Sequence, residues 1–212
     1  HVRAGGGGAT PSDFAPAQLT QAQIDALQAQ FGADGIEDIL PLTPMQRGLL
    51  FHTTDRGAPG STDRYAVQLV VTLQGPLDSE RLRRAVQAVF ARYPHVLARF
   101  RGDIDPPVQV VLRNPELPWR HAELGPDDVE TLCADERAAV LNAVRASIDG
   151  TTAQPSPAPV RAALICTGAQ EHRLVLTNHH IVLDGWSTAI LLQEIFASYQ
   201  ELPSPNPPDQ SP

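Results

Sequence analysis

The stretch that decides the fold is His172-Arg173-Leu174-Val175-Leu176-Thr177-Asn178-His179-His180-Ile181-Val182-Leu183-Asp184-Gly185-Trp186-Ser187. Residues 172–178 read as a strand, Asp184-Gly185 as a turn, and residues 188–199 as a helix. The helix carries Ile190, Leu191, Ile195 and Phe196 on one face. A strand that passes into a helix through a tight turn holds its last side chains on rigid elements while they face a cleft. His179 and His180 sit at that end. An imidazole titrates near about pH 6.5, so it can take a proton from an amine or hydroxyl, or donate a hydrogen bond to an oxyanion. Neighbours on a strand point to opposite faces, so one histidine faces the cleft and the other packs or braces the turn. Spacing alone does not make Asp184 a catalytic partner. A carboxylate there is expected to hold the loop through an arginine or backbone donors. The plainer alternative is a histidine pair satisfied at a sheet edge, with Asp-Gly only a turn signal.

Working outward, residues 160–167 predict a second strand, joined to the first through Gly168. Residues 127–148 predict a long amphipathic helix, with Val129, Leu132, Val140, Leu141 and Val144 among its apolar positions. Residues 107–112 and 65–73 predict two more strands; Tyr65, Val67, Leu69, Val71 and Leu73 alternate with period two. Asp78 caps a helix running to about Tyr93, stapled by Leu77 and Leu82 and stopped by Pro94. Thr43, Pro44 and Gln46 form a capping-box start for residues 41–54, and Thr20 starts a helix within residues 19–31. Residues 57–61 and 151–159 read as loops. The expected class is α+β (an α/β sandwich), a mixed sheet with helices packed mostly on one face and few strands.

The chain has 212 residues, 42% of them hydrophobic and 19% charged, enough apolar content for a real core. Sixteen basic against 24 acidic residues leave a net charge of -8, which argues against nucleic acid or an anionic membrane as partner. Cys133 and Cys166 form neither a disulfide framework nor a zinc pattern, and Cys166 inside an apolar strand reads as core. No third ligand lies near the histidine pair, so no metal site is expected. With no long apolar run and no signal segment, a cytoplasmic location is the default expectation. Gly5–Gly8 and the prolines of residues 201–212 read as linker or tag remnant, and the start at His1 suggests excision from a longer chain.

The segment His179-His180-x-x-x-Asp184-Gly185-Trp186-Ser187 resembles the active-site motif of condensation domains of nonribosomal peptide synthetases, within the chloramphenicol acetyltransferase-like superfamily. Three further segments resemble the same domains in the same order. They are Asp38-Ile39-Leu40-Pro41-Leu42-Thr43-Pro44-Met45-Gln46, continuing to His52; Leu77-Asp78 through Arg92-Tyr93-Pro94 to Ala98-Arg99-Phe100; and Thr10-Pro11-Ser12-Asp13-Phe14, similar to the linker after an upstream carrier domain.

The resemblance implies transfer of an acyl or peptidyl group from one phosphopantetheine thioester to an amine on the downstream carrier. Upstream and downstream peptidyl carrier domains are then the partners. They present the phosphopantetheine arms, and no cofactor is bound covalently. His180 matches the catalytic histidine, as base or positioning group. His179 and Asp184 match supporting positions, Gly185 the small residue beside the acceptor tunnel, and Trp186 and Ser187 the motif's extension. One departure is Leu97, which stands where an arginine often pairs with the motif aspartate; either Arg99 or Arg101 is then the partner, or the site is weakened. The other departure is length. All matched motifs belong to the first of two lobes, so residues 19–200 are expected to be an N-terminal lobe, inactive without its missing C-terminal lobe. Residues 1–18 and 201–212 are then linkers. A subtype taking a donor with a D-residue is weakly favoured. Two alternatives are a trimeric, CoA-dependent acetyltransferase of the same superfamily and a non-catalytic recruitment module.

Overall fold

The computed structural model describes residues 8–54, 65–149 and 157–203. The expectations for residues 1–7, the 57–61 loop, most of the 151–159 loop and the tail beyond 203 lie outside the described residues. The elements run α1 (Gln21–Phe31), β1 (Ile36–Pro41), α2 (Pro44–Thr54), β2 (Ala66–Gln74), α3 (Ser79–Arg92), β3 (Arg99–Arg101), β4 (Val108–Leu112), β5 (Trp119–Glu123), α4 (Val129–Asp149), β6 (Val160–Cys166), β7 (Glu171–His179) and α5 (Gly185–Glu201).

The helices begin where capping chemistry dictates. Thr20 and Gln23 close a reciprocal capping box on α1. At α2, the Gln46 N–H donates to Thr43 Oγ1 at 3.2 Å while Gln46 Oε1 accepts from the Thr43 N–H at 3.0 Å. Asp78 accepts from the Arg81 N–H at 2.9 Å and so starts α3. Each such cap satisfies donors that the helix leaves unpaired. Pro94 opens a short 3-10 turn that ends α3.

The strands divide between two sheets, one of order β1-β4-β3 and one of order β2-β7-β6-β5. In the larger sheet β7 is central. It pairs antiparallel with β2 from Ala66↔His179 to Gln74↔Glu171, and antiparallel with β6. The β5–β6 pair is parallel, and α4 is the crossover such a pair requires. The class is the expected α+β arrangement, with two of the three helices against this sheet on one face. There α3 and α5 bury Leu82, Val86, Val89, Phe90, Leu191 and Ile195 on Leu164, Leu174 and Leu176. Fully burying Phe90 contributes about 2–3 kcal/mol. On the other face, α4 lays Val129 and Leu132 over Ala163, Ile165 and Val175. Its buried Glu136 is held by Arg161 Nε at 2.6 Å, an ion pair that fixes α4 against β6.

Three strands were not anticipated, and each has a local cause. In β1 the register slips between Ile36 and Asp38, and this bulge breaks the period-two pattern. β3 is three residues long. β5 is an edge strand with one neighbour among the described residues, and Arg120, His121 and Glu123 are exposed on it. A separate apolar cluster next to the histidine pair joins Leu42, Leu50, Phe100, Val144 and Ile181, drawn from four different parts of the chain. Among the described residues, no helix is long and apolar enough to cross a membrane.

Candidate active site

β7 ends at His179, and the His180 N–H extends the ladder by donating to the Tyr65 carbonyl at 2.8 Å. The chain then turns, with the Val182 N–H donating to the His179 carbonyl at 3.1 Å. The two rings differ in exposure. His179 is fully buried, whereas His180 is half-buried.

The hydrogen bonds assign a proton to each neutral ring. His179 Nδ1 accepts from the Ile181 N–H at 3.1 Å, so its own proton sits on Nε2. That Nε2 lies 3.3 Å from Thr53 Oγ1, which in turn donates to the Leu49 carbonyl at 3.0 Å. The Tyr65 ring centroid lies 6.2 Å from that of His179. His180 has the opposite arrangement. Its Nδ1 is 3.0 Å from the Leu183 carbonyl, which can only accept, so Nδ1 carries a proton, and in the neutral ring the lone pair is on Nε2. Asn178 Nδ2 also donates to the Leu183 carbonyl, at 3.4 Å, and Gln46 Nε2 donates to the Ile181 carbonyl at 3.2 Å. The Ile181 and Leu183 carbonyls inside the turn thus both have donors.

Asp184 is the N-cap of α5. Its Oδ1 accepts from the Ser187 N–H at 2.8 Å, and its carbonyl accepts from the Thr188 hydroxyl at 2.9 Å. The Ser187 N–H is the main reason its carboxyl is held below the ordinary carboxylate value, with the Ser187 hydroxyl adding to it. Backbone donors therefore take the place of an arginine.

Arg99 and Arg101 make no hydrogen bond or ion pair with Asp184 among the described residues. Arg99 donates to the Leu97 carbonyl, and burial lowers its guanidinium to about 10. Arg101 is engaged by Asp103 at 2.7 Å. Of the two expectations for Asp184, an arginine or backbone donors, the structure shows backbone donors. Leu97 is wholly buried among α3, β6 and β7 residues, so the departure at this position is filled by packing.

Gly185 has an ordinary backbone, and a Cβ built on it meets nothing within 4 Å. Nothing in the described chain thus demands glycine there. Trp186 is 84% exposed, and Ser187 is half-buried. A recess of about 330 Å³ opens beside the turn, with Val182, Leu183, Ser187 and Ile190 in its wall. The structure therefore brings His179, His180 and residues 184–187 together in one turn and leaves Arg99 outside it. Thr53, Gln46 and Tyr65 join the site without having been singled out for it. In the sequence Gln46 stands out as a helix cap and within a motif, Tyr65 only as the start of a strand, and Thr53 not at all. Both cysteines are free thiols. Among the described residues, no group of three His, Cys, Asp or Glu side chains is placed to hold a metal.

The family model described as "Condensation domain" matches residues 36–212. Chondramide synthase cmdD of Chondromyces crocatus is 32% identical over 230 residues, which cover 90% of this chain and 6% of that protein. Vanchrobactin synthetase VabF of Vibrio anguillarum is 33% identical over 203 residues, covering 93% of this chain and 7% of that protein. The crystal structure of holo T3CT is similar with a TM-score of 0.63 at 23% identity, over 92% of this chain and 42% of the other. The starter condensation domain of rhizomide synthetase RzmA gives 0.55 at 15% identity, over 76% and 37%. These two structural likenesses concern the fold. The chain spans less than half of either structure and a small fraction of the synthase and the synthetase.

Proposed function

The chain belongs to the condensation-domain family of nonribosomal peptide synthetases, and from that premise we propose that it is the N-terminal lobe of a domain that joins two carrier-bound substrates through an amide bond. In this reading the amine of an aminoacyl thioester attacks the carbonyl carbon of the donor thioester. A tetrahedral intermediate forms, and collapses to the amide as the donor's thiol leaves with a proton. The reaction needs an acceptor for the proton that the amine gives up, held where the amine approaches.

The observation that carries the proposal is the contact of His180 Nδ1 with the Leu183 carbonyl at 3.0 Å. With its Nδ1–H given to the Leu183 carbonyl, the remaining ring nitrogen offers a lone pair. A neutral ring so arranged can accept a hydrogen bond or a proton from an amine, and has no second N–H for an oxyanion. An α-amine has a pKa near about 8 and is partly neutral at pH 7, so orienting it supplies much of what the step requires. His179 and Asp184 act at one remove, His179 by closing the turn and Asp184 by capping α5. Gly185 leaves open space beside the turn, in keeping with an arm arriving from outside this chain. Peptidyl carrier domains upstream and downstream present the phosphopantetheine arms, and a second lobe supplies the other wall of the site. On its own this lobe is inactive.

The test is amide formation between two loaded carrier domains in the complete synthetase. His180→Ala is expected to lower the rate by about 10²–10⁴-fold, the usual weight of a positioned acid–base group. An unchanged rate would remove His180 from the reaction. Amide formation by the 212-residue chain alone would reject the single-lobe reading.

A further inference from the structure

We propose that Thr53 is a positioning residue for His180, acting through the buried ring of His179. Its kinetic consequence rests on the condensation reading, whereas its structural consequence does not.

Thr53 lies in the last turn of α2 and is 6% exposed. Its hydroxyl has one proton, and the Leu49 carbonyl, at 3.0 Å, can only accept it. The Thr53 oxygen is therefore an acceptor toward His179 Nε2 at 3.3 Å, and His179 must carry its proton on that nitrogen. That choice leaves Nδ1 free to accept from the Ile181 N–H at 3.1 Å. The other tautomer would set two N–H groups against each other at Ile181 and leave a buried nitrogen facing an oxygen whose proton is committed elsewhere. Such mismatches are costly where water cannot compensate.

The Ile181 contact is one of the bonds that close the turn, beside that of the Val182 N–H to the His179 carbonyl. The closed turn carries the Leu183 carbonyl to within 3.0 Å of His180 Nδ1. The hydroxyl on α2 thus acts with the Ile181 N–H to select the tautomer of the buried histidine, and the buried histidine helps set the backbone that orients the half-buried one. The residues involved are 126 apart in sequence, so no motif reveals the connection.

The test uses long-range ¹H–¹⁵N correlation spectra of the ring nitrogens in the histidine-labelled chain, together with kinetics of the full synthetase. In the wild type, His179 is expected to be protonated at Nε2 and His180 at Nδ1. Thr53→Val keeps the shape but deletes the hydroxyl. It should shift the His179 ring signals away from the pure Nε2–H form and lower kcat by about five- to tenfold with little change in KM, matching the loss of one net hydrogen bond. Thr53→Ser should restore both. A wild-type spectrum with His179 protonated at Nδ1 overturns the proposal even if the valine variant does not fold. So does a folded Thr53→Val protein with unchanged ring signals and unchanged kcat. If the wild-type synthetase forms no amide bond, the functional reading fails while the spectra still decide the role of Thr53.

Discussion

Ile181 is the middle of the histidine turn and also one of five buried members of the cluster formed with Leu42, Leu50, Phe100 and Val144. It is 3% exposed, so truncating it removes buried carbon. Ile181→Ala deletes three carbons, worth about 2.4 kcal/mol at about 0.8 kcal/mol each. The cavity left behind raises the cost to about 3–4 kcal/mol, because α2, β3 and α4 all contribute walls and none can collapse alone. In a chain of this size that corresponds to a fall in Tm of roughly 6–16 °C. Urea unfolding should show the loss as a lower midpoint with an unchanged slope. Ile181→Val removes one carbon and should cost about 1 kcal/mol. Two results would refute the reasoning: a loss below about 1 kcal/mol for the alanine variant, or equal losses for alanine and valine. Either would mean that the turn is not anchored by this cluster and that hydrogen bonds alone hold it.

Two further outcomes follow from the start of α5. Asp184→Ala should lower the melting temperature at neutral pH through loss of the cap. Since the folded-state pKa of Asp184 lies below its ordinary 3.8, the cap's contribution is fully present above that value and is lost as pH falls through the folded pKa. The difference between wild type and variant should therefore close in acid, and a pH-independent difference would contradict the assignment. Gly185→Ala should leave the melting temperature at or above that of the wild type, because its Cβ meets open space on an ordinary backbone. In the complete synthetase the same change should reduce amide formation, and an unaltered rate would show that no substrate arm passes this residue.

Much of the architecture was written in local rules. The Thr20, Thr43 and Asp78 caps lie where side-chain acceptors precede apolar stripes, and four strands appeared within a residue or two of their observed bounds. Such features depend on neighbours three or four residues away, which a linear reading can see. β1 escaped because its bulge disrupts the alternation, and β5 because an edge strand keeps its polar side chains. The division of the strands into two sheets was equally invisible, since pairing between distant segments leaves little local mark.

The same boundary runs through the site. By itself, the sequence established that two histidines and an Asp-Gly turn stand where a strand meets a helix, and that they resemble a known motif. Only the tertiary structure decided that His179 is the buried ring and His180 the half-buried one, and which nitrogen of each keeps its lone pair. It also chose the Ser187 N–H over an arginine as the partner of Asp184, and brought in Thr53 from α2. The reason is physical. A motif specifies which groups are near one another along the chain, whereas protonation and orientation follow from acceptors such as the Leu49 and Leu183 carbonyls, which folding alone brings into place.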